Sequence, residues 1–145
     1  MGANFFHCGK PGSGEVAKLV NNLMLAINMI STAEGFAMGT KLGMDPKVLN
    51  DILSVSTGRS FVVTNYNPHP GIQANAPASR DYEGGFGTML MHKDLVLAID
   101  AAKEAGIPVD FTKNAKAYFE DVGNQGKGHK DFSYVYEYIK GNKKV

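Results

Sequence analysis

The feature that most constrains this chain is one long apolar repeat near its start. From Glu15 onward, Val16, Leu19, Val20, Leu23, Ile27 and Ile30 recur at three- and four-residue steps. Ala33, Ala37, Met38 and Leu42 carry the pattern on to Gly43. That spacing is the period of an α-helix and not of a strand. It predicts a helix of about 28 residues, roughly 42 Å long, which is expected to be the central pillar of its domain. Gly35 and Gly39 interrupt it with a poor helix former, which predicts a kink or the close approach of another helix.

The rest of the chain reads as further helices. Asp45-Pro46 is a helix start, with a side-chain acceptor at the cap and proline at the first helical position. Val48, Leu49, Ile52 and Leu53 supply its buried stripe before Gly58. Residues 59–85 show no sustained period and are rich in Asn, Pro and Gly, the pattern of a long functional loop or packed connector. "GTMLMHKDLVLAIDAAKEAG" is the next helix, with Thr88 as its cap, Gly106 past its end and Pro108 beyond. A fourth helix spans Phe111 to Val122, and Asp131 caps a last short one through Ile139. "NFFHCG", ahead of the first helix, is compatible with a short strand. The fold class expected is all-α with at most that one strand, on a chain of 145 residues, long enough for one domain with a real core.

Composition excludes several functions. The net charge is +1, which gives no electrostatic footprint for nucleic acid. The longest apolar run, Leu23 to Ile30, contains Asn28, so no membrane partner is expected. Cys8 is the only cysteine and has no disulfide partner. His7, His69 and His129 lack metal-ligand spacing, so no metal is expected.

The stretch "GSGEVAKLVNN" then asks what two glycines, a lysine and two asparagines do at a helix start. A phosphate loop needs lysine directly after its last glycine, and here Glu15 follows Gly14. A dinucleotide fingerprint fits Gly12, Gly14 and Ala17, but it needs a second strand soon after the helix, and the pattern continues helical. On a helix, Lys18 and Asn22 share a face one turn apart. An amine among apolar neighbours is desolvated, which tunes it for proton exchange near neutral pH, and an amide offers one donor and one acceptor to a substrate. The same two residues also suit an ordinary solvated face, and the residue pattern alone leaves both readings open. A second cluster, Lys93 and Asp94, stands inside the otherwise apolar helix that follows Phe86. Adjacent side chains there point about 100° apart, so the two need different partners.

Together these stretches resemble the β-hydroxyacid dehydrogenase family. Gly9, Gly12, Gly14, Lys18 and Asn22 match its GxxGxGxxxKxxxN motif, and Lys93, Asp94, Leu95, Ala98 and Asp100 match its KDLxxAxD motif. The resemblance covers nearly the whole chain and implies a helical domain of the 6-phosphogluconate dehydrogenase C-terminal-like type. It implies Lys18 as the group that exchanges a proton with the substrate hydroxyl. Gly12, Gly14, Asn22, Phe86 and Asp94 are implied at the substrate and Lys93 at the cofactor. The cofactor implied is NAD, bound mainly by a Rossmann domain. The substrate implied is a small 3-hydroxy acid, foremost 3-hydroxyisobutyrate from valine breakdown, with tartronate semialdehyde, 4-hydroxybutyrate and glyoxylate as alternatives.

Two family motifs, the N-terminal glycine-rich dinucleotide loop and the DxPVSGG-like substrate loop, do not occur in these residues. The chain is therefore expected to be the C-terminal part of a longer enzyme, inactive alone. Residues 1–13 are then the end of the Rossmann domain and the hinge, and 14–145 the helical domain. Its expected partners are that Rossmann domain and a second copy, with Leu23, Ile27 and Ile30 as contacts. A domain serving only oligomerisation is the non-enzymatic alternative. The implied compartment is the mitochondrial matrix in a eukaryote and the cytoplasm in a bacterium.

Overall fold

The computed structural model describes residues 6–141. Helix α1 runs from Ser13 to Lys41, 29 residues, as the repeat predicts. It is followed by α2 (Pro46–Val55), α3 (Phe61–Asn65), a 3-10 turn (Pro77–Arg80), α4 (Thr88–Glu104), α5 (Asp110–Val122), a π turn (Gly123–Lys127), a second 3-10 turn (Phe132–Tyr134) and α6 (Val135–Gly141). Among the described residues there is no strand. Of "NFFHCG", Asn4 and Phe5 lie outside the described residues, and 6–9 have no regular structure.

The helix ends follow from local chemistry. Asp45 caps α2 by accepting from Lys47 N at 2.8 Å and Val48 N at 3.2 Å. Helix α1 closes with Gly43 in the left-handed region (φ 93). Gly43 N donates to Thr40 O and Met44 N to Gly39 O, so two otherwise orphaned carbonyls are satisfied. Gly106 (φ 69) ends α4 by the same pair of bonds, to Lys103 O and Ala102 O. Thr88 is not the cap of α4. Gly87 takes that position, and the Thr88 hydroxyl donates instead to Lys130 O at 3.0 Å, tying the helix start to the segment before α6.

Helix α1 is the pillar of the domain and packs against every other α-helix. Its buried face is Ala26, Met29, Ala33 and Phe36, set against Met91 and Leu95 of α4, Phe119 and Val122 of α5, and Val135 and Tyr136 of α6. This corrects the stripe expected from sequence, because Val16 and Val20 are exposed while Ile27 and Ile30 are only half-buried. The reason is that α1 is apolar nearly all round, so the repeat marks a helix without marking its inner face. By length and composition α1 is also apolar enough to cross a membrane, which the sequence reading had not expected. It is nevertheless the packing centre of five other helices. Helix α2 buries no residue fully. Leu49 and Leu53 pack on the core, while Val48 and Ile52 stay exposed.

The segment expected as a featureless loop is built. Lys130 Nζ donates to Asp81 O (2.9 Å), Asp81 Oδ2 (2.7 Å) and Glu83 Oε1 (2.6 Å). These hydrogen bonds hold the Lys130 ammonium above its ordinary pKa and the Asp81 carboxyl below its own. Tyr82 donates to Pro68 O and to Glu137 Oε1, closing the loop onto α6.

Candidate active site

Two helices far apart in the sequence, α1 and α4, meet at the candidate site. Glu15, Lys18, Leu19 and Asn22 form one stripe on α1, because steps of three and four residues return to the same face. Asp94, Leu97, Ala101 and Glu104 form the facing stripe on α4. Asn22 Nδ2 donates to Asp94 Oδ2 at 2.7 Å across 72 residues of sequence. Asn21 Nδ2 in turn donates to Asn22 Oδ1 at 3.1 Å. An ionised carboxylate can only accept, so Asp94 forces the Asn22 amide to present its NH2 inward. Asp94 is 8% exposed, which makes that orientation tight. One N–H of Asn22 remains for a further acceptor.

Lys18 lies one turn before Asn22, in a concavity of about 400 Å³ lined also by Glu15, Leu19, Asp94, Asp100 and Glu104. A shallower groove along Lys10, Gly12, Glu15 and Val16 adjoins it. Gly12 sits at the helix cap with φ 90, and a Cβ added at Gly14 would meet nothing within 4 Å, so the main chain is open to an incoming group there.

The structure thus brings Lys18, Asn22 and Asp94 together and puts Gly12 and Gly14 at the same end of α1. It does not bring Lys93 or Phe86 into that concavity. Lys93 is exposed, one position around α4 from Asp94. Phe86 precedes α4, is half-buried, and meets Phe132 edge-on at 6.2 Å. Lys18 is exposed, against the expectation of a desolvated amine. The concavity it opens into is walled by Glu15, Asp100 and Glu104, which are themselves exposed, so this chain alone supplies no burial there.

Sequence reasoning missed that Asp94, Asp100 and Glu104 of α4 line the same concavity as Lys18. The spacing of Asp94 and Glu104, ten residues apart on one helix, carried that signal. His92 faces α5, its Nε2 buried and 4.0 Å from Glu120 Oε2. Among the described residues no group of histidine, cysteine and acidic side chains is placed to hold a metal.

The chain is similar to several known proteins. A sequence family described as the NAD-binding domain of NADP-dependent 3-hydroxyisobutyrate dehydrogenase matches residues 12–139. The chain is 46% identical over 142 residues to the probable mitochondrial 3-hydroxyisobutyrate dehydrogenase of Dictyostelium discoideum, covering 98% of this chain and 44% of that protein. It is 45% identical over 135 residues to the NAD-dependent L-serine dehydrogenase of Pseudomonas aeruginosa, covering 93% and 45%. The structure of Mycobacterium tuberculosis 3-hydroxyisobutyrate dehydrogenase with L-serine superposes with a TM-score of 0.89 at 34% identity, over 94% of this chain and 46% of that one. The chain therefore spans less than half the length of these relatives. Its all-α architecture is the 6-phosphogluconate dehydrogenase C-terminal-like type expected from sequence.

Proposed function

The chain belongs to the β-hydroxyacid dehydrogenase family of oxidoreductases, and from that premise we propose that it is the helical domain of an enzyme oxidising 3-hydroxyisobutyrate with NAD. The product is methylmalonate semialdehyde, in valine breakdown. The observation that carries this reading is the Asn22–Asp94 bond beside Lys18, which joins the two family motifs in one site.

In this reading Lys18 takes the proton of the substrate hydroxyl and returns it in the reverse direction. Asn22, its amide turned by Asp94, gives its remaining N–H to a substrate oxygen. Gly12 and Gly14 let the substrate lie against bare main chain; Phe86, outside the Lys18 concavity, is assigned to the substrate only by the family resemblance. Bound NAD supplies the acceptor for the hydride. The described residues offer it one fitting group, the exposed Lys93 ammonium, a donor for a phosphate or ribose oxygen; a Rossmann domain would hold the rest. The compartment proposed is the mitochondrial matrix in a eukaryote and the cytoplasm in a bacterium.

L-serine is a second reading, favoured by a specific observation. It is also a 3-hydroxy acid, and Glu15, Asp100 and Glu104 around Lys18 would suit its ammonium group. Initial rates of the intact enzyme with 3-hydroxyisobutyrate, L-serine, 4-hydroxybutyrate, tartronate semialdehyde and glyoxylate decide between them. The roles are tested by Lys18→Ala and Lys93→Ala. Removing a general acid–base lowers kcat by about 10² to 10⁴, while Lys93→Ala should act chiefly on the KM for NAD. Normal kcat in Lys18→Ala with a collapsed kcat in Lys93→Ala would reverse the assignment.

A further inference from the structure

Helix α1 carries more apolar surface than the rest of the domain covers. Val16, Val20, Met24 and Ile27 follow one another at steps of three or four residues. The same steps continue through Ser31 and Glu34 to Met38, and to Leu42 at the C-cap. At about 100° per residue all of them fall within about 80° of arc, a straight stripe roughly 40 Å long. Its two ends are apolar and open. Met38 and Leu42 are 64% and 80% exposed, and Val16, Val20 and Met24 are exposed as well. Glu34, the one charge on the stripe, is held toward α5, where its carboxylate accepts from the Tyr118 hydroxyl at 3.1 Å.

The two halves of the stripe differ in shape. The C-terminal half is the floor of a groove. Helix α5 walls it beside Ile27, Ile30 and Glu34, with Phe111 and Tyr118 around a hollow of about 590 Å³. Helix α6 walls the next turns, where Ala37, Met38 and Lys41 share a hollow of about 510 Å³ with Ile139 and Lys140. Glu34 lines both, so the two adjoin. In the N-terminal half, Val16, Val20 and Met24 stand exposed and line neither hollow.

A stripe that projects at one end and is recessed at the other fits its own reverse. A two-fold axis at the level of Met29 sets Val16 beside the partner's Leu42, Val20 beside the partner's Met38 and Met24 beside the partner's Glu34. Such a contact is isologous and closes on itself. Charge selects the same direction. Glu15 stands in the first turn of α1 and Lys41 in the last. Neither has an ion-pair partner among the described residues. An antiparallel copy lays the basic last turn of one helix along the acidic first turn of the other, whereas a parallel copy sets like charge beside like charge. Lys18 is two residues from both Val16 and Val20, about 200° around the helix, so this contact leaves the candidate site open.

We propose that the exposed stripe of α1 is the seam between two copies of this chain, paired antiparallel about Met29. The inference does not depend on which hydroxy acid the site takes.

The test is cross-linking between defined positions. Cys8→Ser first removes the free native thiol. In that background Val20→Cys and Met38→Cys are combined, and disulfides are formed with oxidised glutathione. Along one helix the two positions are about 27 Å apart, far beyond disulfide reach, so a bond between them joins two copies. The double variant should give at least about tenfold more covalent dimer than either single variant, because the seam holds the two thiols at high effective concentration. Mass spectrometry should find position 20 linked to position 38, and Val16→Cys with Leu42→Cys should link in the same way. Unchanged melting temperatures under reduction confirm that the variants fold. Efficient linkage by Val20→Cys alone overturns the proposal, because it requires another direction or register. So does failure of the double variant to link, or a chain that sediments as a monomer at the concentration used. The same pair is then placed in the intact enzyme. Linkage of 20 to 38 there supports the seam; its loss there means that the rest of the enzyme covers the stripe, and overturns it.

Discussion

The side chain of Asn22 is held at both ends, by Asn21 at its oxygen and by Asp94 at its nitrogen. An amide fixed in this way can discriminate, because the orientation of its free N–H is set before a substrate arrives. Asn22 and Asp94 should therefore act as one unit. We expect Asn22→Ala and Asp94→Ala each to lower kcat/KM, and the double variant to lose little more than the worse single one. Residues in direct contact typically show coupling of about 0.5–3 kcal/mol. Strict additivity in a double-mutant cycle would mean that the bond does not serve the site. Of this unit, the sequence made one half legible. Lys18 and Asn22 share a helix face by spacing alone. The partnership of Asn22 with Asp94 was not readable from spacing, because it depends on how α4 crosses α1.

At the scale of elements, the two glycines inside α1 behave differently. A Cβ at Gly35 would meet nothing within 4 Å, whereas one at Gly39 would lie 2.7 Å from Leu49 Cδ2 of α2. Gly35 is thus only a weak point of the helix, and Gly39 is where α2 comes close. Replacing an interior helical glycine by alanine is worth roughly 0.5–1 kcal/mol when space allows. We expect Gly35→Ala to stabilise the chain by that amount in urea unfolding. Gly39→Ala should gain less, because Leu49 must move, and Gly39→Val should lose about 1–3 kcal/mol by overpacking. Equal gains for both alanines would show that α2 does not press on α1. Helices α1, α2, α4 and α5 were legible because each shows a period of several turns and a chemical stop. The five residues of α3 and four of the first 3-10 turn were not, since neither is long enough to show a period. Tertiary partners, Ser60 as a cap for α3 and the Lys130–Asp81–Glu83 cluster beside the turn, accompany them instead.

For the whole molecule, several protons are held more firmly folded than unfolded. Burial raises the pKa of Tyr66 and Tyr82, helped by Asp131 and Glu137 respectively. Tyr138 is pushed up to about 12, chiefly by its hydrogen bond to Asp121. Lys130 is raised as well, by Asp81 and Glu83. An unfolded phenol ionises near pH 10, so above that pH the unfolded chain binds fewer protons than the folded one. The stabilisation is complete below about pH 10 and is lost as pH rises through the folded values. Denaturant midpoints should be level from about pH 8 to 9.5 and then fall; a flat profile to pH 11.5 would exclude this linkage. Surface decides how the molecule associates. Val16, Val20 and Met24 are 60%, 51% and 57% exposed and lie four residues apart on one face of α1. Leu23, Ile27 and Ile30, expected from sequence to make these contacts, are only partly exposed, and both isoleucines pack on the core. An apolar stripe of this kind normally marks an interaction surface. It lies on the opposite side of α1 from Lys18, two residues being about 200° of helix, and the amine is left exposed on its own face of this chain. We therefore expect the 145-residue chain alone to give no turnover of 3-hydroxyisobutyrate and to self-associate with rising concentration. Changing Val16 and Val20 to Ser and Met24 to Gln should shift it toward monomer without lowering its melting temperature. Sedimentation velocity over a hundredfold concentration range reads the first effect. A monomer throughout that range would remove the stripe as an interface, and measurable turnover by the isolated chain would remove the need for any covering domain.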